Sequence, residues 1–282
     1  MTTPADTTIL AALHRATQQL QAASASPRLD AELLLAHMLG TTRTHILTRL
    51  RDPFPDAHTP HWQSMLAQRA CGRPIAYITH QREFYGLDFY VDDRVLVPRP
   101  ETELLVDIAR TAAATLSPHC VVDIGTGSGC IAVTLAVHQV APQVIAVDIS
   151  PDALAVAQHN ARHHACTDTL QFVCGDLCTM LAPVPLIVSN PPYTLLDDID
   201  ANVRDHEPHL ALIGGGADGA DYYRRLAQLL PQHLARPGVF ACEIDPRQAD
   251  VVVAAMQAQL PHAHISVHAD LAGWARVVRV AH

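Results

Sequence analysis

The stretch Cys120-Val121-Val122-Asp123-Ile124-Gly125-Thr126-Gly127-Ser128-Gly129-Cys130 decides how this chain folds. Residues 120–124 form a mostly apolar run of the length expected for a buried strand. The glycines that follow let the backbone turn sharply and approach a ligand closely. A helix predicted over Ser128–Gln139 would direct its free N–H groups at that ligand. The stretch therefore predicts a strand, a glycine turn beside a ligand, and a helix.

The glycine spacing departs from two common nucleotide-binding motifs. A dinucleotide fingerprint requires a small residue at position 130, where this chain has Cys130. A P-loop requires Gly-Lys-Ser or Gly-Lys-Thr after the turn, and this chain has neither there. By itself the turn is weak evidence for any particular cofactor.

Strands and helices are predicted to alternate from residue 118 to the end of the chain. The predicted strands are Cys120–Ile124, Val144–Val147, Leu170–Cys174, a run ending at Ser189, Gly238–Glu243, His264–His268 and Arg276–Val280. The predicted helices between them are Ser128–Gln139, Pro151–His164, Gly219–Leu234 and Pro246–Leu260. This α/β alternation implies a mostly parallel sheet with helices on both faces. Ligands bind such sheets at the carboxyl ends of the strands.

Acidic residues follow the second and third of these strands. Asp148 comes 23 residues after the first glycine of the turn, where a carboxylate can accept hydrogen bonds from both hydroxyls of a ribose. The alternative is that Asp148 caps the next helix. Asp176 could accept from an adenine amino group, with Leu177 against the ring. The alternative for Asp176 is an ordinary turn residue after Gly175.

The fourth strand ends in Ser189-Asn190-Pro191-Pro192-Tyr193. The two prolines stop the strand and lack N–H groups, so the loop offers many acceptors and few donors. A planar group carrying –NH2 would be held by Asn190 Oδ1 and a proline carbonyl, with its plane on Tyr193. The alternative is a strand-ending turn, because Asn-Pro commonly begins one.

The first part of the chain has a helical pattern. Helices are predicted over residues 7–21, 28–39, 41–50 and 61–72, and Arg82–Val97 is predicted to form a β-hairpin. A further helix is predicted from Glu101 to about Leu116, with Thr102 as its cap. These predictions divide the chain into a helical domain (1–80), a hairpin linker (81–97) and an α/β domain (98–282).

Composition restricts the class of protein. The chain has 282 residues, of which 49% are hydrophobic and 17% charged, as in a globular protein. Its start lacks a signal-peptide pattern and no apolar run approaches a membrane span, so we expect no membrane association. Seven cysteines without a C-x-x-C pair indicate reduced thiols and a cytoplasmic location. The 18 histidines are scattered, so we expect no metal site.

Charge argues against direct binding of nucleic acid. All 19 basic residues are arginine. Residues 1–100 carry ten Arg against nine Asp and Glu, a net charge of +1. Residues 101–282 carry nine Arg against nineteen Asp and Glu, a net charge of −10. Phosphate backbones require a basic surface that this distribution does not supply.

The glycine turn, the two acids and the Asn-Pro-Pro-Tyr loop together resemble the class I S-adenosylmethionine-dependent methyltransferases. The subset with Asn-Pro-Pro-Tyr methylates amide or exocyclic amino nitrogens. From about Arg28 onward the chain resembles one family more closely, the peptide chain release factor glutamine N5-methyltransferases. The stretches that carry this resemblance are Gly72–Ile78, Arg82–Leu87, Pro98-Arg99-Pro100-Glu101-Thr102-Glu103 and Ser189–Tyr193.

The resemblance implies a helical N-terminal domain, a hairpin, and a seven-stranded methyltransferase domain. It also implies transfer of methyl from S-adenosyl-L-methionine to the glutamine of a Gly-Gly-Gln loop in class 1 release factors. From the near-neutral charge of the helical domain we expect that it docks the protein substrate. The residues expected to hold the glutamine are Asn190, Pro191, Pro192 and Tyr193, of which Asn190, Pro191 and Tyr193 are the expected catalytic residues. The residues expected to bind the methyl donor are Gly125, Thr126, Gly127, Ser128, Gly129, Asp148, Asp176, Leu177 and Asn190.

The chain departs from the family pattern at three places. Leu177 stands where some relatives have an aromatic residue, His206 replaces an aromatic before Glu207-Pro208, and Trp274-Ala275 replaces a polar pair. Three alternative functions remain open. They are methylation of a glutamine on a ribosomal protein, methylation of an amino group on DNA, and non-enzymatic binding of an adenosine ligand. The Pro-Arg-Pro-Glu-Thr-Glu stretch favours the release-factor substrate over the ribosomal one, and the net charge disfavours DNA.

Overall fold

The computed structural model of this protein describes residues 8–282. Residues 1–7, including the first residue of the helix predicted over 7–21, lie outside the described part. The chain forms two compact units. One contains the chain up to His80 together with Ala201–His206, and the other contains Gln81–Asp200 and Glu207–His282.

The first unit is helical. Its helices are α1 (Ile9–Leu20), α2 (Pro27–Met38), α3 (Arg43–Thr48), α4 (Thr59–Ala70), α5 (Ile75–Thr79) and, much later in the chain, α9 (Ala201–His206). The Thr8 and Thr42 hydroxyls cap α1 and α3 by accepting backbone N–H groups. The core of the unit is built from large apolar side chains that are almost fully buried: Leu13, Leu20, Leu34, Leu35, Trp62, Met65 and Leu66. The sequence pattern did not predict the short helix α5.

The second unit contains all the strands found within residues 8–282. A two-stranded hairpin comes first: β1 (Arg82–Phe84) and β2 (Leu87–Phe89). The remaining strands are β3 (Cys120–Ile124), β4 (Gln143–Asp148), β5 (Leu170–Cys174), β6 (Val184–Ser189), β7 (Leu234–Glu243), β8 (His264–Ala269) and β9 (Ala275–Ala281). The helices are α6 (Glu103–Leu116), α7 (Cys130–Val137), α8 (Pro151–His163), α10 (Asp221–His233) and α11 (Ala249–Gln259).

The seven later strands form one sheet in the order β5-β4-β3-β6-β7-β9-β8. The pairings from β5 to β7 are parallel, and β9 runs antiparallel to both of its neighbours. The direction of strand addition reverses between β3 and β6, which makes this the switch point of the sheet. The predicted α/β arrangement, with a seven-stranded, mostly parallel sheet, a helical N-terminal region and a hairpin, is confirmed.

Alternate residues of the strands enter two separate cores, one on each face of the sheet. In β3, Val121 belongs to the core that includes residues of α6 and α7. Its neighbours Val122 and Ile124 belong to the core that includes residues of α10 and α11. Each fully buried aliphatic side chain of this kind stabilises the fold by about 1.5–3 kcal/mol. The central strands are therefore buried on both faces, and their parallel pairing sets the positions of the residues that follow them.

Thr102 does not have the predicted role of helix cap. It ends a 3-10 turn, Pro100–Thr102, and its backbone is already helical, with φ −66° and ψ −18°. A capping side chain needs an extended backbone, so the hydroxyl makes no capping hydrogen bond and is free to reach another partner. Within residues 8–282, no helix combines the length and apolarity needed to cross a bilayer.

Candidate functional site

The candidate site lies at the carboxyl ends of four adjacent parallel strands, β5, β4, β3 and β6. A cavity of about 220 Å³ occupies this edge of the sheet. It brings together eight of the predicted site residues: Gly125, Gly127, Asp148, Asp176, Leu177, Asn190, Pro191 and Pro192. Four other predicted site residues, Thr126, Ser128, Gly129 and Tyr193, are not among those that line the cavity.

The glycine turn after β3 owes its shape to positive φ angles. Gly125, Gly127 and Gly129 have φ of 73°, 54° and 79°, a region that favours glycine. A side chain at Gly127 would meet nothing within 4 Å, whereas one at Gly129 would come within 2.9 Å of Ala157 Cβ. Gly127 therefore keeps space open beside the cavity, and Gly129 permits close packing of α8.

Asp123, in the strand before this turn, stabilises the turn through hydrogen bonds. It is fully buried, and its Oδ2 accepts hydrogen bonds from the Thr126 hydroxyl at 2.6 Å and from the Ala132 N–H at 3.2 Å. Burial raises the pKa of Asp123 to about 7. Thr126 thus has a structural partner of its own. Asp123 was not among the predicted site residues, although a carboxylate inside an apolar strand is an unusual feature of the sequence.

Asp148 links the end of β4 to the glycine turn. Its Oδ2 accepts the Gly127 N–H at 2.8 Å, and its Oδ1 accepts the Ser150 N–H at 2.9 Å. Ser150, and not Asp148, caps α8, so the capping alternative for Asp148 is wrong. Burial raises the pKa of Asp148, which the backbone N–H donors partly offset. Each carboxylate oxygen keeps a further acceptor position for a ligand in the cavity.

Asp176 and Leu177 form the part of the cavity that follows β5. The Asp176 carboxylate accepts from the Arg225 guanidinium at 2.5 Å, and both side chains are partly exposed. Leu177 is buried, and its φ of 55° is uncommon for a branched residue. This backbone turn brings Leu177 to the wall of the cavity.

The Asn190 side chain has a defined partner. Its Nδ2 donates to the Thr102 hydroxyl at 3.1 Å. Within residues 8–282, no protein group donates a hydrogen bond to its Oδ1, and Asn190 lines the cavity. The preceding residue, Ser189, is fully buried and donates its hydroxyl to the Ile124 carbonyl at 2.8 Å. The end of β6 is therefore tied to the end of β3, and the Asn190 amide to the turn before α6.

Tyr193 has a different environment from the one expected. Its hydroxyl donates to Glu243 Oε1 at 3.1 Å, and its carbonyl accepts from Gln248 Nε2 at 2.9 Å. Burial raises the pKa of the Tyr193 phenol well above its ordinary value, with the Glu243 charge adding to this effect. Tyr193 is thus fixed through its hydroxyl as well as its ring.

An ion pair between the buried Glu207 carboxylate and the partly exposed Arg99 guanidinium joins two segments of the cavity wall. Glu207 Oε1 accepts from Arg99 Nη2 at 2.6 Å, and its Oε2 accepts from the Val97 N–H at 3.1 Å. Residues on both sides of this link line the cavity, among them Leu96 and Pro208. Thr102, Glu207 and Glu243 were missed as site residues. Thr102 belongs to a quoted family motif, and Glu243 ends a predicted strand, but neither signal specified a contact.

The departures from the family pattern lie at different places. The His206 ring nitrogen Nδ1 contacts the Asn202 carbonyl at 3.0 Å within α9. Trp274 is 59% exposed in the turn between β8 and β9. Nothing in the structure explains the Trp274 substitution. Among residues 8–282, no group of three or more His, Cys, Asp or Glu side chains is arranged to hold a metal ion.

Comparisons with known proteins match both parts of the chain. The PrmC N-terminal domain model matches residues 11–79, and the methyltransferase small domain model matches residues 100–206. The release factor glutamine methyltransferase of Koribacter versatilis is 40% identical over 278 residues, covering 96% of this chain and 97% of that protein. The protein of the same name from Bacillus anthracis is 36% identical over 257 residues, covering 88% and 90%.

Solved structures support the fold alone. A ribosomal protein L11 methylase from Lactobacillus delbrueckii subsp. bulgaricus aligns with a TM-score of 0.50 and 21% identity, covering 68% of this chain and 83% of that one. A methyltransferase from Pyrococcus furiosus aligns with a TM-score of 0.52 and 15% identity, covering 70% and 89%. The α/β unit therefore has the class I methyltransferase fold. With relatives this similar along almost its whole length, the chain belongs to the release factor glutamine methyltransferase family.

Proposed function

We propose that this protein transfers a methyl group from S-adenosyl-L-methionine to the side-chain amide nitrogen of the glutamine in the Gly-Gly-Gln loop of class 1 peptide chain release factors. The names of the relatives support both the reaction and the class of substrate. The observation that carries the proposal for this chain is the Asn190 amide. Its nitrogen donates a hydrogen bond to the Thr102 hydroxyl, so its oxygen is available as an acceptor at the cavity.

The residues of the cavity fit the methyl donor. A side chain at Gly127 would occupy open space, so the missing Cβ leaves room beside the turn. The Asp148 carboxylate, already fixed by two backbone donors, has acceptor positions for the two ribose hydroxyls. Leu177 offers an apolar surface for the adenine ring, and Asp176 a carboxylate for its amino group. Bound S-adenosylmethionine would supply a methyl group on a positively charged sulfur, which makes that carbon electrophilic.

The acceptor amide needs help because its nitrogen lone pair is delocalised into the carbonyl. Asn190 Oδ1 and the Pro191 carbonyl would each accept one amide hydrogen, and this pair of bonds favours a pyramidal nitrogen with its lone pair facing the donor. The two prolines add no competing N–H donors. We assign no general base, because the nitrogen would be acidic enough to lose its proton to water once the new N–C bond had formed and the methyl–sulfur bond of the donor had broken. The main contribution of these residues is alignment of the reacting groups.

We also infer that the helical unit docks the protein substrate. Residues 1–100 have a net charge of only +1, which favours a protein partner over nucleic acid. The PrmC N-terminal domain model matches residues 11–79, and the Koribacter versatilis relative aligns with 96% of this chain, so that relative shares the helical unit.

The proposal is tested with methyl-labelled S-adenosylmethionine and three separate acceptors: a class 1 release factor, ribosomes, and DNA. Label is expected in the release factor and should be absent when its Gly-Gly-Gln glutamine is replaced by glutamate. Label confined to a ribosomal protein or to DNA would overturn the proposed substrate.

A further inference from the structure

A buried carboxyl group lies beside the acceptor loop and is not used in the reaction above. Glu243 ends β7, and its neighbour Cys242 pairs in register with Ser189, directly before Asn190. Glu243 is 2% exposed. Its Oε1 accepts from the Tyr193 hydroxyl at 3.1 Å. Its Oε2 is also buried, and no donor in the described chain meets it with good hydrogen-bond geometry.

Thr102 lies between this carboxyl group and Asn190. The Thr102 side chain is 2% exposed, and its hydroxyl oxygen accepts from Asn190 Nδ2 at 3.1 Å. Burial raises the pKa of the Glu243 carboxyl group overall, and the interaction with the same Thr102 hydroxyl opposes part of this rise. A hydroxyl has one hydrogen to donate. Since its oxygen already accepts from Asn190, that hydrogen is available for Glu243.

This arrangement decides which end of the Asn190 amide faces the cavity. The oxygen and nitrogen of an asparagine side chain have nearly the same shape, so packing alone discriminates poorly between the two orientations. An ionised carboxylate can only accept hydrogen bonds. It therefore draws the Thr102 hydrogen, leaves Thr102 as an acceptor, and selects Nδ2 of Asn190 as its partner. Oδ1 is then directed to the cavity.

We propose that Thr102 and Glu243 are positioning residues, which together hold Asn190 with its side-chain oxygen toward the substrate amide. The proposal rests on the proposed function, because it concerns the acceptor that binds the substrate –NH2. Without the carboxylate, the Thr102 hydroxyl can donate to Asn190 Oδ1 instead. The amide would then rotate and present an –NH2 to a substrate –NH2, so that two donors face each other.

Three variants of the full chain separate positioning from stability. Thr102→Val keeps the shape but removes the hydroxyl, and Thr102→Ser restores it. Glu243→Met removes the carboxylate acceptor, and it is made together with Tyr193→Phe so that no phenol is left without a partner; its reference is Tyr193→Phe alone. The matched control is Thr134→Val, because Thr134 is equally buried but donates to the Cys130 carbonyl, within α7.

The first readout is the Asn190 side-chain amide signal in ¹⁵N–¹H NMR spectra, recorded without substrate. In the wild type we expect slowed exchange of one Nδ2 hydrogen with water. This protection should be lost in Thr102→Val and in the Glu243→Met pair, and kept in Thr102→Ser and Thr134→Val. Equal protection in Thr102→Val and wild type would overturn the proposal without reference to activity.

The second readout is methyl transfer to release factor. Thr102→Val and the Glu243→Met pair should lose on the order of 10²-fold in kcat, as misplaced reacting groups do, with unchanged affinity for S-adenosylmethionine. Thr102→Ser should recover most of the loss. Full activity of folded Thr102→Val would overturn the positioning role. If the wild type labels no release factor while the NMR pattern holds, the proposed function fails and the orientation of Asn190 stands.

Discussion

The Asn190 side chain donates to the Thr102 hydroxyl at 3.1 Å, although 88 residues separate the two in the chain. Thr102 precedes the first helix of the α/β unit, and Asn190 follows β6. The contact therefore connects two family motifs, Pro-Arg-Pro-Glu-Thr-Glu and Asn-Pro-Pro-Tyr, through a single hydrogen bond. It gives the first motif a physical relation to the acceptor loop.

Replacing Asn190 tests the acceptor directly. Asn190→Ala removes the side-chain oxygen and should lower turnover by about 10²-fold or more, because the substrate amide is no longer aligned. Asn190→Asp keeps the shape but adds a charge beside the buried Glu243. Steady-state kinetics with release factor, and calorimetry with S-adenosylmethionine, separate turnover from donor affinity. Donor affinity should fall by less than turnover, and near-normal methylation by a folded alanine variant would contradict the assignment.

Replacing Asp148 tests the cofactor site. Asp148→Ala leaves the Gly127 and Ser150 N–H groups and the ribose hydroxyls without an acceptor, so donor affinity should fall by about 1–3 kcal/mol. Asp168→Ala is the control, because Asp168 is exposed. Calorimetry measures both, and NADH should show no comparable binding to the wild type. If folded Asp148→Ala binds S-adenosylmethionine as tightly as the wild type, Asp148 does not hold the ribose.

Asp123 should make stability depend on pH. Its ordinary pKa is 3.8, and burial raises the pKa to about 7 in the folded protein. Between these values the native state binds more protons than the unfolded state. The free energy of unfolding should therefore fall as pH rises from roughly 4 to 7, by at most about 1.4 kcal/mol per pH unit for this group.

Urea denaturation of Asp123→Asn and wild type across this range checks the sign. The difference in unfolding free energy between the two should shift in favour of Asp123→Asn as pH rises. Asp168 is exposed, so the unfolding free energy of Asp168→Asn should change with pH in the same way as that of the wild type. A constant difference between Asp123→Asn and wild type would show that Asp123 does not titrate in this window.

Replacement by alanine should destabilise the protein to different extents at two glycines of the same turn. Gly129→Ala combines a φ of 79° with a 2.9 Å approach to Ala157 Cβ, so a loss of about 2–4 kcal/mol is expected. Gly127→Ala has the strain of a positive φ but no close neighbour, so the loss should be about 1–3 kcal/mol.

Urea unfolding of the same variants in an Ala157→Gly background measures how much of the destabilisation by Gly129→Ala comes from steric overlap with Ala157. The cost of Gly129→Ala should be smaller there, because the overlapping methyl group is gone. The cost of Gly127→Ala should be the same in both backgrounds. An unchanged cost of Gly129→Ala would rule out packing against α8 as the reason for that glycine.

Exposed leucines of the helical unit test its docking role. Leu29 and Leu33 lie one turn apart on α2 and are 40% and 37% exposed. Leu29→Ser with Leu33→Ser should raise KM for intact release factor and leave KM unchanged for a short peptide carrying Gly-Gly-Gln. Val267→Ser, at an exposed position of β8 in the other unit, is the control. An equal rise in KM for peptide and protein would argue against docking by this face.

The sequence by itself determined the order of elements and the edge of the sheet that carries the site. The carboxyl ends of the strands could be predicted from the sequence, because an apolar run of strand length stops where polar or proline residues begin. β3 and β5 have the predicted bounds. Asp148 is the last residue of β4, and Asp176 and Asn190 follow β5 and β6 as expected. The family motifs added the reaction and its substrate.

Only the tertiary structure decided which side chains touch. Local patterns cannot pair Thr102 with Asn190 or Tyr193 with Glu243, because these contacts depend on how strands distant in sequence lie next to each other. The same limit explains why Gly129 could not be distinguished from Gly127, since only the packing of α8 against Gly129 separates them. It also explains why Glu243 was not predicted near the acceptor loop, because the β6–β7 pairing brings the two together.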